Sequence, residues 1–176
     1  MGLEEIRKNI DAVDTQMREL FLKRMELSRQ VAEEKKRTGA KVYVPKREEE
    51  VILCRAEGVT ELAPEYRMFL KELMAISRTY QYSCLDLPDS LEFLSDFTGG
   101  LMLTFTCSEK SEQLLTGITA LKMAGIIIHE IQSESVEEQI ICRISLWGDF
   151  RLALARGAVL QIYEENENVS VQKAEE

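Results

Sequence analysis

Hydrophobic residues recur along the first forty positions with the spacing of one long amphipathic helix. Steps of seven give two rows: Leu3, Ile10, Met17, Arg24, Val31, and Ile6, Val13, Leu20, Leu27. The two rows predict a single apolar seam on a helix from about Leu3 to Thr38. Arg24 occupies a place in this seam where a hydrophobic residue is expected. Burying a cation is costly, so Arg24 requires either an internal carboxylate partner or a bound anion.

Two further helices are predicted before the pattern changes. The second covers about 45–58, with Pro45 suited to its first position, and the third covers about 64–84. On the third helix the inward stripe changes from hydrophobic to polar at Ser77 and Gln81. The first helix, about 50 Å long, has no partner of equal length in the chain, so we expect its seam to pack against a second copy.

Polar residues of the three helices predict a pocket inside the helical bundle. Lys35 lies on the same side of the first helix as Arg24, whereas Arg7 lies about 100° away and is expected to serve a partner's pocket. The predicted pocket is lined by Arg24, Lys35, Arg47, Glu48, Ser77 and Gln81. Each position alone also fits a structural role: an ion pair, a solvated charge or a hydrogen-bonded buried group.

Charge and composition narrow the classes of ligand. The chain of 176 residues has a net charge of −9. Residues 1–57 carry 13 Lys and Arg against 12 Asp and Glu, a net charge of +1, so the remaining 119 residues carry −10. An acidic chain without a basic aromatic patch is a poor nucleic-acid binder, and a local positive pocket suits a small anion.

Other features of the sequence set its expected environment. No apolar run approaches the roughly 18 residues of a membrane span, and the N-terminus lacks the features of a secretory signal, so we expect a cytoplasmic protein that binds no membrane. The four cysteines are isolated, which predicts neither a disulfide nor a metal site. We expect no cofactor.

Residues 1–85 resemble the all-helical chorismate mutase family. The resemblance is carried by the segments Ile6–Asp14, Lys23-Arg24, Val31–Lys35, Arg47-Glu48 and Ser77-x-x-x-Gln81. It implies an intertwined helical homodimer with two active sites, and an enzyme of phenylalanine and tyrosine biosynthesis that rearranges chorismate to prephenate. This rearrangement is unimolecular, so the enzyme has to fold the enolpyruvyl arm over the ring and stabilise charge on the ether oxygen.

The resemblance also implies a role for each pocket residue. Arg24 and Arg7 of the partner subunit would hold the two carboxylates, and Lys35 and Gln81 would meet the ether oxygen. Glu48 would accept a hydrogen bond from the ring hydroxyl. The remaining pocket residues, Arg47 and Ser77, would complete the binding site. The implied catalytic residues are Arg24, Lys35, Glu48 and Gln81.

One position departs from the family pattern. Val44 stands where many members have an aspartate, four residues before Glu48, so hydroxyl recognition rests on Glu48 alone. Two alternatives therefore stay open. The first is a non-catalytic sensor of the aromatic pathway that uses the mutase fold as a dimer scaffold. The second is an isochorismate-pyruvate lyase, because an electrostatic pocket does not by itself separate the two substrates.

The second half of the chain has a different pattern. Residues 86–98 are predicted to be a linker, and residues 99–176 predict the order βαββαβ of a ferredoxin-like domain. This order resembles an ACT domain, an amino-acid-sensing module, with the best local match at Ala124–Ile126. The fold class expected for the whole chain is thus a three-helix mutase-type dimer followed by an α+β domain of regulatory or oligomerisation role.

Two further expectations concern this ACT-like domain. We expect it to self-associate through apolar sheet edges at Leu101–Phe105 and Ile126–Ile131. An aromatic amino acid is its possible effector. The glycine turn that admits an effector in such domains is replaced by Ser108–Ser111, so the response to phenylalanine or tyrosine is expected to be weak or absent.

Overall fold

The computed structural model describes residues 2–174, and within this range the chain forms helices α1–α5, strands β1–β4 and one 3-10 helix. In chain order these are α1 Leu3–Thr38, α2 Pro45–Ala56, α3 Ala63–Ser83, the 3-10 helix Asp89–Asp96, β1 Thr98–Ser108, α4 Gln113–Met123, β2 Ile127–Val136, β3 Gln139–Asp149, α5 Ala153–Glu165 and β4 Glu167–Lys173. Only the first half is all-helical. None of the helices within residues 2–174 has the length and apolar character needed to cross a bilayer.

The helix α1 is held to the rest of the chain only near its C-terminal end. It has acidic residues in its first turn and basic residues in its last, which suits the helix dipole, and it ends at Gly39 in the left-handed conformation. Ser28 and Ala32 are its buried residues. The apolar seam farther toward the N-terminus is uncovered in the single chain: Ile10 is 52% exposed and Leu20 is 67% exposed.

The C-terminal half confirms the expected ferredoxin-like architecture. Its four antiparallel strands lie in the order β2-β3-β1-β4, and α4 and α5 connect them in the sequence βαββαβ. Alternate residues of β1 and β3 are buried, as a sheet covered by helices on one face requires.

One of the two expected sheet edges is wrong. β1, which contains Leu101–Phe105, pairs with β3 on one side and β4 on the other, so it is an interior strand. Its apolar residues are buried under the helices rather than exposed at an edge. β2 does lie at an edge, where Ile127 and Ile131 are 52% and 42% exposed.

The two halves of the chain pack against each other. α3 lies along α5 so closely that a Cβ atom added to Gly157 would stand 2.6 Å from the backbone nitrogen of Ser83. The expected linker contains the 3-10 helix, whose Leu91 and Leu94 are buried in the same core as Tyr82 of α3. Segment 86–98 is therefore a packed connection, while the domain boundaries at 85 and 99 remain a prediction.

Candidate functional site

The C-terminal half of α1 carries polar residues that face α3. The Nη1 group of Arg24 donates a hydrogen bond to the carbonyl oxygen of Leu73 at 3.3 Å. One turn later, the hydroxyl oxygens of Ser28 and Ser77 lie 2.5 Å apart. These contacts bring Arg24 and Ser77 into one region, as predicted, and Ser28 is an addition that its i+4 spacing from Arg24 would have indicated.

Arg24 is a partly buried cation without a carboxylate partner among residues 2–174. Among residues 2–174, the largely buried ion pairs are made by a different arginine, Arg78. Burial lowers the pKa of Arg24, Arg55 lowers it further, and Glu48 opposes the shift. The internal ion pair that the sequence left open for Arg24 is thus not formed, which favours the anion-binding alternative.

Lys35 and Gln81 form the most informative pair of the site. The Nζ atom of Lys35 donates to the carbonyl oxygen of Val42 at 3.0 Å and to Oε1 of Gln81 at 3.2 Å. Two of the three ammonium protons are used in this way, and the amide Nε2 of Gln81 keeps its own donors. The two side chains can therefore offer N–H groups to one ligand oxygen from neighbouring positions.

The electrostatic environment of Lys35 shows which other predicted residues lie close to it. Burial lowers the pKa of Lys35, as does the charge of Arg47, whereas Glu48 raises it. Arg47 is exposed in the first turn of α2, next to Glu48. The six residues predicted to share a pocket within one chain thus come from α1, α2 and α3 to the same end of the bundle.

Glu48 is held by an arginine that the sequence analysis did not single out. Nη1 of Arg78 forms an ion pair with Oε2 of Glu48, and Nε of Arg78 donates to Oε1 of Glu165 at 2.9 Å. The guanidinium carbon lies 4.5 Å from the centre of the Tyr43 ring. Arg78 is buried, and its position inside the polar run that ends α3 was the only signal in the sequence.

Burial acts in opposite directions on the pKa values of Arg78 and Glu165. It would lower the pKa of Arg78, but Glu165 and Glu48 together raise that pKa above its ordinary value, so the guanidinium stays charged. Burial raises the pKa of Glu165 to about 7, although Arg78 opposes the rise. Glu165 therefore titrates near neutral pH while Arg78 does not.

We expect this titration to appear as a pH dependence of stability. A carboxyl whose pKa is higher in the folded than in the unfolded state binds more protons when folded, so stability falls as pH rises from about 4.5 to about 7. Relative to Glu165→Gln, the free energy of unfolding of the unmodified protein should fall by about 3 kcal/mol over this range. Urea unfolding of both proteins at pH 5 and pH 8 measures the difference.

The comparison between the unmodified protein and Glu165→Gln isolates the contribution of the Glu165 carboxyl to the pH dependence of stability. Glu48 and Tyr82, which also act on the Glu165 carboxyl, are unchanged in the variant. Parallel pH curves for the two proteins would show that Glu165 is already ionised at pH 5.

Arg7 lies away from the other predicted site residues. It is exposed near the start of α1 and forms an ion pair with Glu4 at 3.2 Å. Seventeen residues of helix separate it from Arg24, which corresponds to about 26 Å along the axis. Arg7 cannot reach the pocket of its own chain, as expected.

A cavity of about 640 Å³ lies between the two halves of the chain, with Glu48 among the residues that line it. α2, α3 and the segment from Lys110 to Thr116 line it, and Glu48 and Arg78 form part of its wall. Arg24, Lys35 and Gln81 do not line it. The cavity thus shares Glu48 with the predicted pocket but not the residues that α1 and the end of α3 contribute to it.

Comparison with known proteins gives one match, which lies in the first half of the chain. Residues 6–82 match the family model of chorismate mutase type II. The match confirms the resemblance drawn from the residues, and it ends before the C-terminal half begins. The likeness of the C-terminal half to an ACT domain rests on the order of its helices and strands and on the local match at Ala124–Ile126. No curated protein matches the chain significantly.

Proposed function

We propose that this protein is a chorismate mutase that forms prephenate, because residues 6–82 match the family model of chorismate mutase type II. The observation that carries the proposal is the Lys35–Gln81 pair, together with Arg24, which has no carboxylate partner among residues 2–174. Two N–H donors that can meet at one oxygen suit the developing charge on the ether oxygen of chorismate. A cation without an internal counter-ion suits one of its carboxylates.

Glu48 and the remaining residues complete the proposed chorismate site. Because the pair with Arg78 is made through Oε2, the other oxygen of Glu48 can accept a hydrogen bond from the ring hydroxyl. Arg47 and Ser77 would complete the pocket, with Arg7 of the partner subunit holding the second carboxylate. The reaction needs only positioning and charge stabilisation from these groups.

The uncovered seam of α1 supports a homodimer. Ten apolar side chains of α1 between Leu3 and Val31 are 38–67% exposed in the single chain, a larger continuous apolar surface than monomeric soluble proteins usually leave exposed. A second copy offers the same seam, so a two-fold pairing would bury both. Such a pairing would also bring Arg7 of each chain toward the other chain's pocket.

A direct assay tests the proposed activity. Purified protein with chorismate should form prephenate, detected as phenylpyruvate after acid treatment. The same protein with isochorismate distinguishes the lyase alternative, because release of pyruvate and salicylate would identify that activity. Absence of both products in a dimeric, folded protein would favour the non-catalytic sensor.

For residues 99–176 we propose an ACT-like role in assembly or regulation with little amino-acid sensing. The turn that would receive an effector already uses its own backbone donors. Ser111 N–H donates to Ser108 O at 3.0 Å, Lys110 N–H donates to Ser108 Oγ at 3.3 Å, and Glu109 N–H donates to Glu138 O at 2.9 Å. An amino-acid carboxylate would have to break these bonds to bind the turn.

We therefore expect calorimetry of the full-length protein with phenylalanine or tyrosine to show no binding at micromolar concentrations. The mutase rate should change less than about twofold when either amino acid is added at millimolar concentration. The Lys110→Gly variant, which removes the ion pair with Glu138 and adds the backbone freedom of a glycine to the turn, serves as the comparison. Micromolar binding to the unmodified protein, coupled to a change in rate, would make this domain a sensor.

A further inference from the structure

Arg78 connects Glu48 to the C-terminal half of the molecule. Its guanidinium lies between two carboxylates, that of Glu48 on α2 and that of Glu165 at the end of α5. All three side chains are largely buried, with side-chain exposures of 8% for Arg78, 19% for Glu48 and 2% for Glu165. The ion pairs that join the two halves of the chain thus include Glu48, a residue of the proposed chorismate site.

Glu165, the α5 residue of this network, is itself held in place by hydrogen bonds. Oε2 of Glu165 accepts a hydrogen bond from Nε2 of Gln161 at 3.4 Å, and Oε1 of Gln161 accepts one from Thr79 at 2.6 Å. The backbone carbonyl of Glu165 accepts a hydrogen bond from the Gln113 side chain. Glu165 is therefore held from α3, α4 and α5 together, and it presents a defined carboxylate to Arg78.

Glu48 has fewer supports of its own. It lies in the first turn of α2, and the residue one turn earlier is Val44, which offers no side-chain hydrogen bond. A glutamate side chain has several rotamers, and fixing it lowers the entropy cost of binding. The planar, multidentate guanidinium of Arg78 suits this task, since it can hold two carboxylates in a set geometry.

We propose that Arg78 is a positioning residue for Glu48 and that Glu165 holds Arg78 in place, so that the C-terminal half completes the chorismate site. The inference rests on the proposed function and deepens it. Arg78 does not touch the substrate in this arrangement. Its effect passes through the Glu48 carboxylate, which it orients so that Oε1 faces the ligand.

The test compares full-length variants in a steady-state chorismate assay. Arg78→Met alone leaves Glu165 buried without its partner and can fail to fold, so the main variant is Arg78→Met with Glu165→Gln, which removes the charges together. We expect its kcat/KM to fall about tenfold, mostly through a higher KM, because contact with the ring hydroxyl acts on bound substrate and transition state alike. In a Glu48→Gln background the same double change should have no further effect.

A second ion pair between the halves provides the matched control. Lys71 on α3 binds Glu112 before α4 at 2.6 Å, and among residues 2–174 neither forms an ion pair with Arg78, Glu48 or Glu165. Glu112→Gln should leave kcat and KM unchanged. An unchanged KM in the double variant, or an equal loss in the Glu48→Gln background, would overturn the positioning role.

Crystal structures of the unmodified protein and the double variant test the inference independently of catalysis. The Glu48 carboxylate should shift by more than about 1 Å or occupy several rotamers in the double variant, and should keep its place in Glu112→Gln. A Glu48 side chain that stays in place without Arg78 would overturn the inference. If the unmodified protein lacks mutase activity, the proposed function fails, and the crystal structures still decide whether Arg78 positions Glu48.

Discussion

Arg24→Ala and Lys35→Ala are each expected to lower the mutase rate by about 10²–10³ while leaving a folded helical dimer. Arg24 has no carboxylate partner among residues 2–174, so its removal leaves no internal anion unpaired. The change costs the hydrogen bond to the Leu73 carbonyl, worth about 1 kcal/mol. The mutase rate should therefore fall strongly while the stability of the fold changes little. Steady-state kinetics measures the rate, circular dichroism the helical fold, and sedimentation the dimer.

Lys35→Ala is expected to act through two donors at once. Lys35 supplies one N–H group to the proposed ether-oxygen site and also holds Oε1 of Gln81, which keeps the amide Nε2 in place. Loss of Lys35 should thus lower kcat more than it raises KM, because these donors meet charge that develops in the transition state.

Matched controls lie on the same helix. Arg29 is a half-exposed arginine of α1 that pairs with Glu26 and Glu33, and Lys36 is an exposed lysine that pairs with Asp86. Arg29→Ala and Lys36→Ala should retain the rate of the unmodified protein. Equal losses in the control and test variants, or unfolding of Arg24→Ala without a separate loss of rate, would contradict the proposed roles.

Mixed dimers of Arg7→Ala and Arg24→Ala chains are expected to recover activity that neither parent has. Arg7 lies about 26 Å along α1 from Arg24 and about 100° around it, so the two arginines can share a pocket only across a dimer. In a heterodimer one composite pocket lacks both arginines and the other has both. A purified heterodimer should show about half of the activity of the unmodified dimer.

A different mixture serves as the control for complementation. Arg24 and Lys35 are contributed to each pocket by the same chain. A heterodimer of Arg24→Ala and Lys35→Ala chains therefore lacks one of these residues in each pocket, and no recovery is expected. Differently tagged chains, purified through both tags, give heterodimers for the assay. Heterodimers of Arg7→Ala and Arg24→Ala that stay as inactive as the parents would remove Arg7 from the shared site.

The sequence by itself determined the elements and the composition of the candidate site. The helix over 3–38 has the predicted bounds, because a heptad seam and a glycine stop are local signals. The order βαββαβ of the second half is likewise set by short-range patterns. Arg24, Ser77 and Gln81 were indicated because they are polar residues on apolar helix faces, and such positions are visible in the sequence without a structure.

The tertiary structure alone decided which surfaces these elements share. β1 has the apolar pattern of either an edge or an interior strand, and only the strand order places it inside the sheet. The contacts of Arg78 could likewise not be predicted from the sequence. Its role depends on Glu165, 87 residues away in the chain, which approaches because α3 packs closely along α5. Helix periodicity reports which face is buried, but the identity of the partner across that face is a property of long-range packing.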